Sequence, residues 1–302
     1  MKTDNKYDVI IVGGSYAGLS AAMSLGRSRK NVLILDGGLP CNRYTPYSHN
    51  FITQDGIVPK EIADKAREQV LKYKTVDLKN SLATEGGKVN DYFEIITDTG
   101  EVYNANKLIF ATGIKDLLPS IKGFSECWGK TVIHCPYCHG YEFRDKKTGI
   151  MIDNEKAFHI AQLVNNLTDK ISIITGGKKF LNPEQLKKLK KHNISIIDKE
   201  VVEMEQTEGI IKNVVFSDGS KIAFDVIYSS VPFEQNSNIP NQLGCALTDL
   251  GYLQVDSFHK TTVEGIFAIG DNSSPMRSVA NAVATGNFAG AIVNMELTAE
   301  RF

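Results

Sequence analysis

The run Tyr7 to Val12 is apolar on both faces, the pattern of a strand buried inside a sheet. A glycine-rich turn follows, and Ala17 to Leu25 is small and apolar, as a helix packed on a sheet would be. Asn31 to Leu35 reads as a second short strand ending at Asp36. Together these make a βαβ unit of about 30 residues, the size of a mononucleotide-binding half-fold. Residues 59–74 predict a helix, with Pro59 at its start and Ile62, Ala66, Val70 and Tyr73 along one face. From Val76 to Val102 the pattern alternates, with turn signals at Glu85-Gly86-Gly87 and Asp98-Thr99-Gly100, which predicts an antiparallel meander. Lys107 to Phe110 is another buried strand, closing on Ala111-Thr112-Gly113.

After a crossover over Pro119 to Gly129 the pattern starts again. Thr148 to Ile152, residues 155–167 and Ile171 to Ile174 read as strand, helix and strand. A helix over Pro183 to Lys191 and strands at 194–197, 212–216 and 222–229 complete that unit. The tail returns to the first style, with a strand at Gly265 to Ile269, a turn at Gly270-Asp271 and a small-residue helix from Ser278 to Asn294. The expectation is an α/β chain of two nucleotide-type domains: residues 1–117 plus 235–302, and residues 118–234.

At 302 residues the chain is long enough for two such cores. Lys+Arg of 34 against Asp+Glu of 35 leaves a formal net charge of -1, so nothing points to a nucleic-acid partner. No stretch approaches the ~20 apolar residues of a membrane span, and the N-terminal apolar run is too short for a signal peptide. A cytoplasmic setting is expected, and five cysteines, an odd number, fit it better than a disulfide framework. Cys41, Cys127 and Cys245 read as small packed side chains. No metal site is predicted.

Gly13-Gly14-Ser15-Tyr16-Ala17-Gly18 stands between the first strand and its helix. Read as G-x-G-x-x-G it keeps the first and third glycines, and Ser15 replaces the middle one. Glycine is needed there so that backbone can approach a pyrophosphate and helix can pack close to strand. The helix start then presents free N–H groups to phosphate. Asp36, 23 residues after Gly13, lies where an acid would hold ribose hydroxyls. Taken alone the motif reads equally well as a tight turn, and Asp271 as the N-cap of a following segment.

His134-Cys135-Pro136-Tyr137-Cys138-His139-Gly140 carries a C-x-x-C spacing, which lets two thiols close a small ring and exchange two electrons. C-x-x-C-H is also a c-type haem attachment pattern, but haem would leave the glycine turns unexplained. A zinc site would need a second Cys/His pair, with only His134 and His139 to hand. A glutaredoxin-type site would follow the first strand of a small domain. A flavin-coupled disulfide uses every feature. His139, at an ordinary pKa of ~6.5, can take a proton from an incoming thiol or give one to a leaving thiolate.

The order of glycine turn, acid, Ala-Thr-Gly, C-x-x-C-x-G, second βαβ unit and late Gly-Ile-Phe-Ala-Ile-Gly-Asp resembles the low-molecular-weight thioredoxin reductase family over essentially the whole chain. The segment Cys-Pro-Tyr-Cys-His-Gly-Tyr-Glu is similar to its dithiol-oxidase branch, which closes the disulfides of gliotoxin and holomycin. The resemblance implies two Rossmann-like, three-layer FAD/NAD(P)-binding domains and a homodimer. It implies FAD contacts from Gly13, Gly14, Ser15, Ala17, Gly18, Asp36, Asn50, Ala111, Thr112, Gly113, Gly270, Asp271, Arg277, Ser278 and Val279. It also places Cys138 toward the flavin and Cys135 toward the substrate sulfur.

Two departures matter. The reductases carry an Asp acid where this chain has His139. Their second glycine turn, for NADPH, is replaced here by Asp153-Asn154-Glu155-Lys156, and like charges facing a pyrophosphate cost on the order of 1–4 kcal/mol. Lys178 and Lys179 are the residues that would compensate. Ordinary NADPH use is therefore not expected. The first expectation is a dithiol oxidase with oxygen as acceptor, working on a small dithiol or disulfide or on a thioredoxin-like protein. The alternatives are a thioredoxin-type disulfide reductase fed by NADPH or a ferredoxin-like donor, and a redox-sensing flavoprotein without turnover.

Overall fold

The computed structural model of the protein describes residues 5–302. Its chain divides into two compact units. The first takes the chain up to Arg43, Phe51–Lys115 and Phe233–Phe302; the second takes Tyr44–Asn50 and Asp116–Pro232.

In the first unit the strand Lys6–Val12 lies between Val32–Leu35 and Val102–Phe110, parallel to both. The long strand Val102–Phe110 serves two purposes. Its early half pairs antiparallel with Tyr92–Thr97, which pairs in turn with Ala83–Val89. Its late half pairs parallel with Ile266–Ala268, so the end of the sequence completes the first sheet. The helices Tyr16–Arg27, Pro59–Val70 and Val279–Ala299 contribute to a core on one face, built on Val9, Ile11, Val32, Ile34 and Ile109. Ile10, Val12, Leu33, Leu35, Leu108 and Phe110 alternate with these and form the core of the other face.

Two of the helices touch backbone to backbone. A Cβ at Gly286 or Gly290 would run into the carbonyls of Ala17 and Ala21. Ser20 and Ser24 donate to the carbonyls of Val283 and Asn287, at 2.7 and 3.1 Å. This explains the small-residue composition of both helices: bulk would separate them.

One expectation is corrected here. Val76–Lys79 does not belong to the antiparallel meander but pairs parallel with Val32–Leu35, at the edge of the sheet. It is the return strand of a crossover through the helix Pro59–Val70. Four alternating residues carry no information about the direction of their partner.

The second unit has a parallel sheet in the order Ser195–Ile197, Ile171–Ile174, Thr148–Met151, Val226–Ser229, Val132–Ile133. A separate antiparallel sheet holds Val201–Thr207, Ile210–Phe216 and Lys221–Ala223. The strand expected at 222–229 is thus two strands in different sheets. They divide at Phe224-Asp225, where Asp225 accepts from Lys147 N at 2.8 Å and returns its own N–H to the Lys147 carbonyl. Val201–Thr207 was not foreseen, because its charged and amide residues hide the alternation. It turns into its neighbour at Glu208-Gly209, both at positive φ as a tight hairpin requires.

Candidate functional site

Three turns meet at the carboxyl ends of adjacent parallel strands in the first unit, the usual place for a ligand in such sheets. They are 13–18 after Lys6–Val12, 111–113 after Val102–Phe110 and 270–272 after Ile266–Ala268. Gly13 has φ 110, and a Cβ there would overlap the Ala111 carbonyl. A Cβ at Gly18 would overlap the carbonyl of Gly13 itself, and one at Gly14 would meet the Asp36 side chain. Each glycine is therefore required by what lies against it. Gly270, at φ 76, would place a Cβ 3.1 Å from that of Ala17.

The helix Tyr16–Arg27 begins without a side-chain cap from Ser15 and without an acid in its first turn, which keeps its N–H groups available to an anion. Asp36 Oδ1 accepts from Gly14 and Gly38, at 3.3 and 3.2 Å. Its Oδ2 pairs at 2.8 Å with Arg67 of the helix Pro59–Val70, a partner the sequence did not reveal. Glycines that let backbone approach, an uncapped helix start and an acid held at the next strand end fit the adenosine-diphosphate part of FAD.

Asp271 is not a helix N-cap. Ser278 caps Val279–Ala299, accepting from Asn281 N at 3.1 Å. Asp271 instead faces Arg277 Nε at 3.9 Å, and Arg277 Nη2 lies 3.1 Å from the sulfur of Cys41. Cys41 is thus half-buried beside a guanidinium, and the expectation of a merely packed side chain is corrected for it. Cys127 and Cys245 are buried, and burial pushes both thiols up. Buried Asn272 donates to the Phe110 carbonyl and to Thr112 Oγ1, at 2.9 and 3.1 Å, and so ties the second turn to the third. Asn50 has φ 60 and lies in the segment Tyr44–Asn50 of the second unit.

Within the second unit Cys135 and Cys138 form a disulfide, with Cα atoms 5.3 Å apart. Strand Val132–Ile133 leads into it, and Pro136 starts a single helical turn, Pro136–His139, that has Cys135 as N-cap. Cys138 N donates to Cys135 Sγ at 3.1 Å. A thiolate on Cys135 would keep that donor, which favours it as the charged sulfur of the reduced pair. Tyr137, between the cysteines, is 68% exposed. His134 stacks on Trp128 with ring centroids 6.0 Å apart. Gly140 is needed because a Cβ would overlap the Pro136 carbonyl.

Burial, and then the neighbouring His49, push the pKa of His139 down to about 4. This corrects the expectation of a side chain poised in both directions: at neutral pH it is an unprotonated base. His49 in turn lies 3.6 Å from Glu142, and neither residue had a signal in the sequence.

The turn after Thr148–Met151 differs from the one after Lys6–Val12. It has no glycine, and Asn154, which precedes the N-cap Glu155, accepts through Oδ1 from Lys156 N, the first amide of the helix Lys156–Val164, at 3.1 Å. Lys178 pairs with Asp153 and holds its carboxyl below the usual range. One of the two lysines expected to compensate is thereby engaged by the acid. Among the described residues no group of three or more His, Cys, Asp or Glu forms a metal site, and no helix is long and apolar enough to cross a membrane.

The family model for pyridine nucleotide-disulphide oxidoreductases matches residues 7–286. Thioredoxin reductase tcpT of Claviceps purpurea is 31% identical, over 99% of this chain and 97% of that protein. The structure of an oxidoreductase from Agrobacterium tumefaciens superposes with a TM-score of 0.91 at 36% identity, covering 97% of this chain and 99% of that one. TrxB from Bacillus anthracis gives a TM-score of 0.93 at 32% identity, over 98% of this chain and 100% of that one. The chain belongs to the pyridine nucleotide-disulphide oxidoreductase family, as an FAD-dependent disulfide oxidoreductase of the thioredoxin reductase-like kind.

Proposed function

We propose that the enzyme exchanges electrons between Cys135–Cys138 and a thioredoxin-type partner. The observation that carries this is the disulfide at the start of the Pro136–His139 turn, with the Cys138 N–H on Cys135 Sγ. In the reducing direction the Cys135 thiolate attacks the partner's disulfide, and one partner sulfur leaves. Cys138 then attacks Cys135, closes the pair and releases the partner's second sulfur. The name of the Claviceps relative supports the partner class. FAD, bound through Gly13, Gly14, Ser15, Ala17, Gly18, Asp36, Thr112, Gly113 and Asp271, would supply the two-electron exchange with the pair. The family resemblance is also what supports a homodimer.

A second reading reverses the flow: a dithiol is oxidised, with oxygen as the final acceptor. Two observations favour it. His139 is a neutral base, suited to taking a proton from an incoming thiol. The turn at 152–156 lacks glycine, sets Asn154 on the first helix amide and pairs Asp153 with Lys178, which does not favour a nicotinamide nucleotide as donor.

An anaerobic titration separates the two. Bleaching of the yellow enzyme by a dithiol but not by NADPH, with recovery and peroxide when air is admitted, is the outcome for the oxidase. Stoichiometric bleaching by NADPH, followed by reduction of a thioredoxin-type disulfide, is the outcome for the reductase. Replacing either Cys135 or Cys138 by Ser abolishes thiol-driven bleaching in both cases, and its persistence would reject the assigned cysteines.

A further inference from the structure

The disulfide turn carries more acid–base machinery than His139. The helical turn Pro136–His139 runs on into the 3-10 turn Tyr141–Phe143, the two joined by bonds from Gly140 N to the Pro136 carbonyl and from Phe143 N to the Gly140 carbonyl. Glu142 is therefore fixed three residues beyond His139. The short segment Tyr44–Asn50, remote in sequence, belongs to the same unit and brings His49 Nε2 to 3.6 Å from Glu142 Oε1. The charge of His49 acts on His139, and that of Glu142 acts on Tyr228, whose hydroxyl burial pushes up. These groups form one cluster beside the cysteines. The side chain of His49 is 19% exposed and that of Glu142 38%, so these members of the cluster reach solvent.

Burial opposes charge on His139, so a proton accepted there has reason to move on. The carboxylate of Glu142 offers a counter-charge at His49, not at His139. We propose that His49, held by Glu142, is a positioning residue that relays protons between His139 and solvent during exchange at Cys135–Cys138. The inference rests on the thiol–disulfide reading above.

For a dithiol partner the step balances as follows. One substrate thiol gives its proton to His139, its sulfur bonds to Cys135 Sγ, and the Cys135–Cys138 bond breaks with Cys138 leaving as thiolate. The proton passes from His139 to His49. The second substrate sulfur then attacks the first and closes the substrate disulfide, Cys135 leaves as the thiolate held by the Cys138 N–H, and the second proton goes to Cys138. Two electrons have entered the cysteine pair. The reducing direction is the same sequence reversed, with His49 returning the proton.

The test uses oxidised holoenzyme mixed anaerobically with dithiothreitol, read by flavin bleaching and by acid quench with alkylation of newly freed thiols. His49→Gln should slow thiol capture on the order of tenfold at neutral pH, within the usual range for loss of assisted proton transfer. Added imidazole should restore most of the rate. Glu142→Gln should show a smaller loss and Glu142→Asp a near-normal rate. A His49→Gln rate equal to the parent's overturns the proposal, and so does a slowed rate that imidazole does not restore. If His49→Gln fails to fold, Glu142→Gln is judged by the same thiol-capture rate at neutral pH: a rate equal to the parent's overturns the relay. Cys135→Ser is run beside them, and bleaching in that variant would reject the exchange reading itself rather than the relay.

Discussion

His139 shows how a single residue's environment narrows a choice of chemistry. The unfolded chain takes up a proton on this imidazole near the ordinary ~6.5, whereas the fold refuses it until about 4. Between those values the unfolded state binds more protons, so stability falls as pH falls through this window and is fully regained above it. Burial lowers His259 as well, and its contribution has the same sign. Urea unfolding at pH 7 and pH 5 should therefore show lower stability at pH 5, and His139→Gln should reduce the difference. For the chemistry, a rate limited by His139 as base should be flat from neutral pH down to about pH 5 and drop only below it. A midpoint near 6.5 in stopped-flow thiol capture would contradict the neutral-base assignment.

At the scale of elements, the dinucleotide turn depends on contacts that leave no room for a methyl group. Gly18→Ala would force the new Cβ onto the Gly13 carbonyl, and overpacking of this kind costs about 1–3 kcal/mol. Because the same shift displaces the uncapped helix start, the variant should also be purified with substoichiometric FAD, measured from the ratio of flavin to protein absorbance. The C-terminal helix supplies a complementary case. Ser278→Ala removes the side chain that accepts from Asn281 N, so Val279–Ala299 should lose about 1 kcal/mol, read as a lower urea midpoint with an unchanged slope.

Across the whole molecule, the first unit is assembled from both ends of the sequence and is closed by the last strand and helix. A ligand bound only by the folded form stabilises it by mass action, by about 2.7 kcal/mol at a hundredfold excess over Kd. Stripping FAD should therefore lower the melting temperature, and added FAD should restore it in a concentration-dependent way. Differential scanning calorimetry of apo and reconstituted protein checks this. A melting temperature indifferent to FAD would count against the site at residues 13–18.

What the sequence determined by itself was local. A buried strand such as Lys6–Val12 shows through its unbroken apolar run Val9 to Val12, because both faces of a parallel strand are covered. The helix Pro183–Lys191 is legible to the residue, because Asn182 and Gln185 form a capping box around Pro183. The glycine turn and the C-x-x-C pair are readable because their chemistry needs fixed spacings of a few residues. The tertiary structure decided everything that depends on distant segments closing on each other. Only the sheet shows that Val76–Lys79 runs parallel to Val32–Leu35. The pairs Asp36–Arg67, Asp153–Lys178, Cys41–Arg277 and His49–Glu142 join residues with no pattern linking them in the chain. A charged side chain looks the same in sequence whether it meets water, a ligand or its own counter-ion. Which of these it meets is set by the packing around it, and here that packing turned Lys178 toward Asp153 and left His139 uncharged.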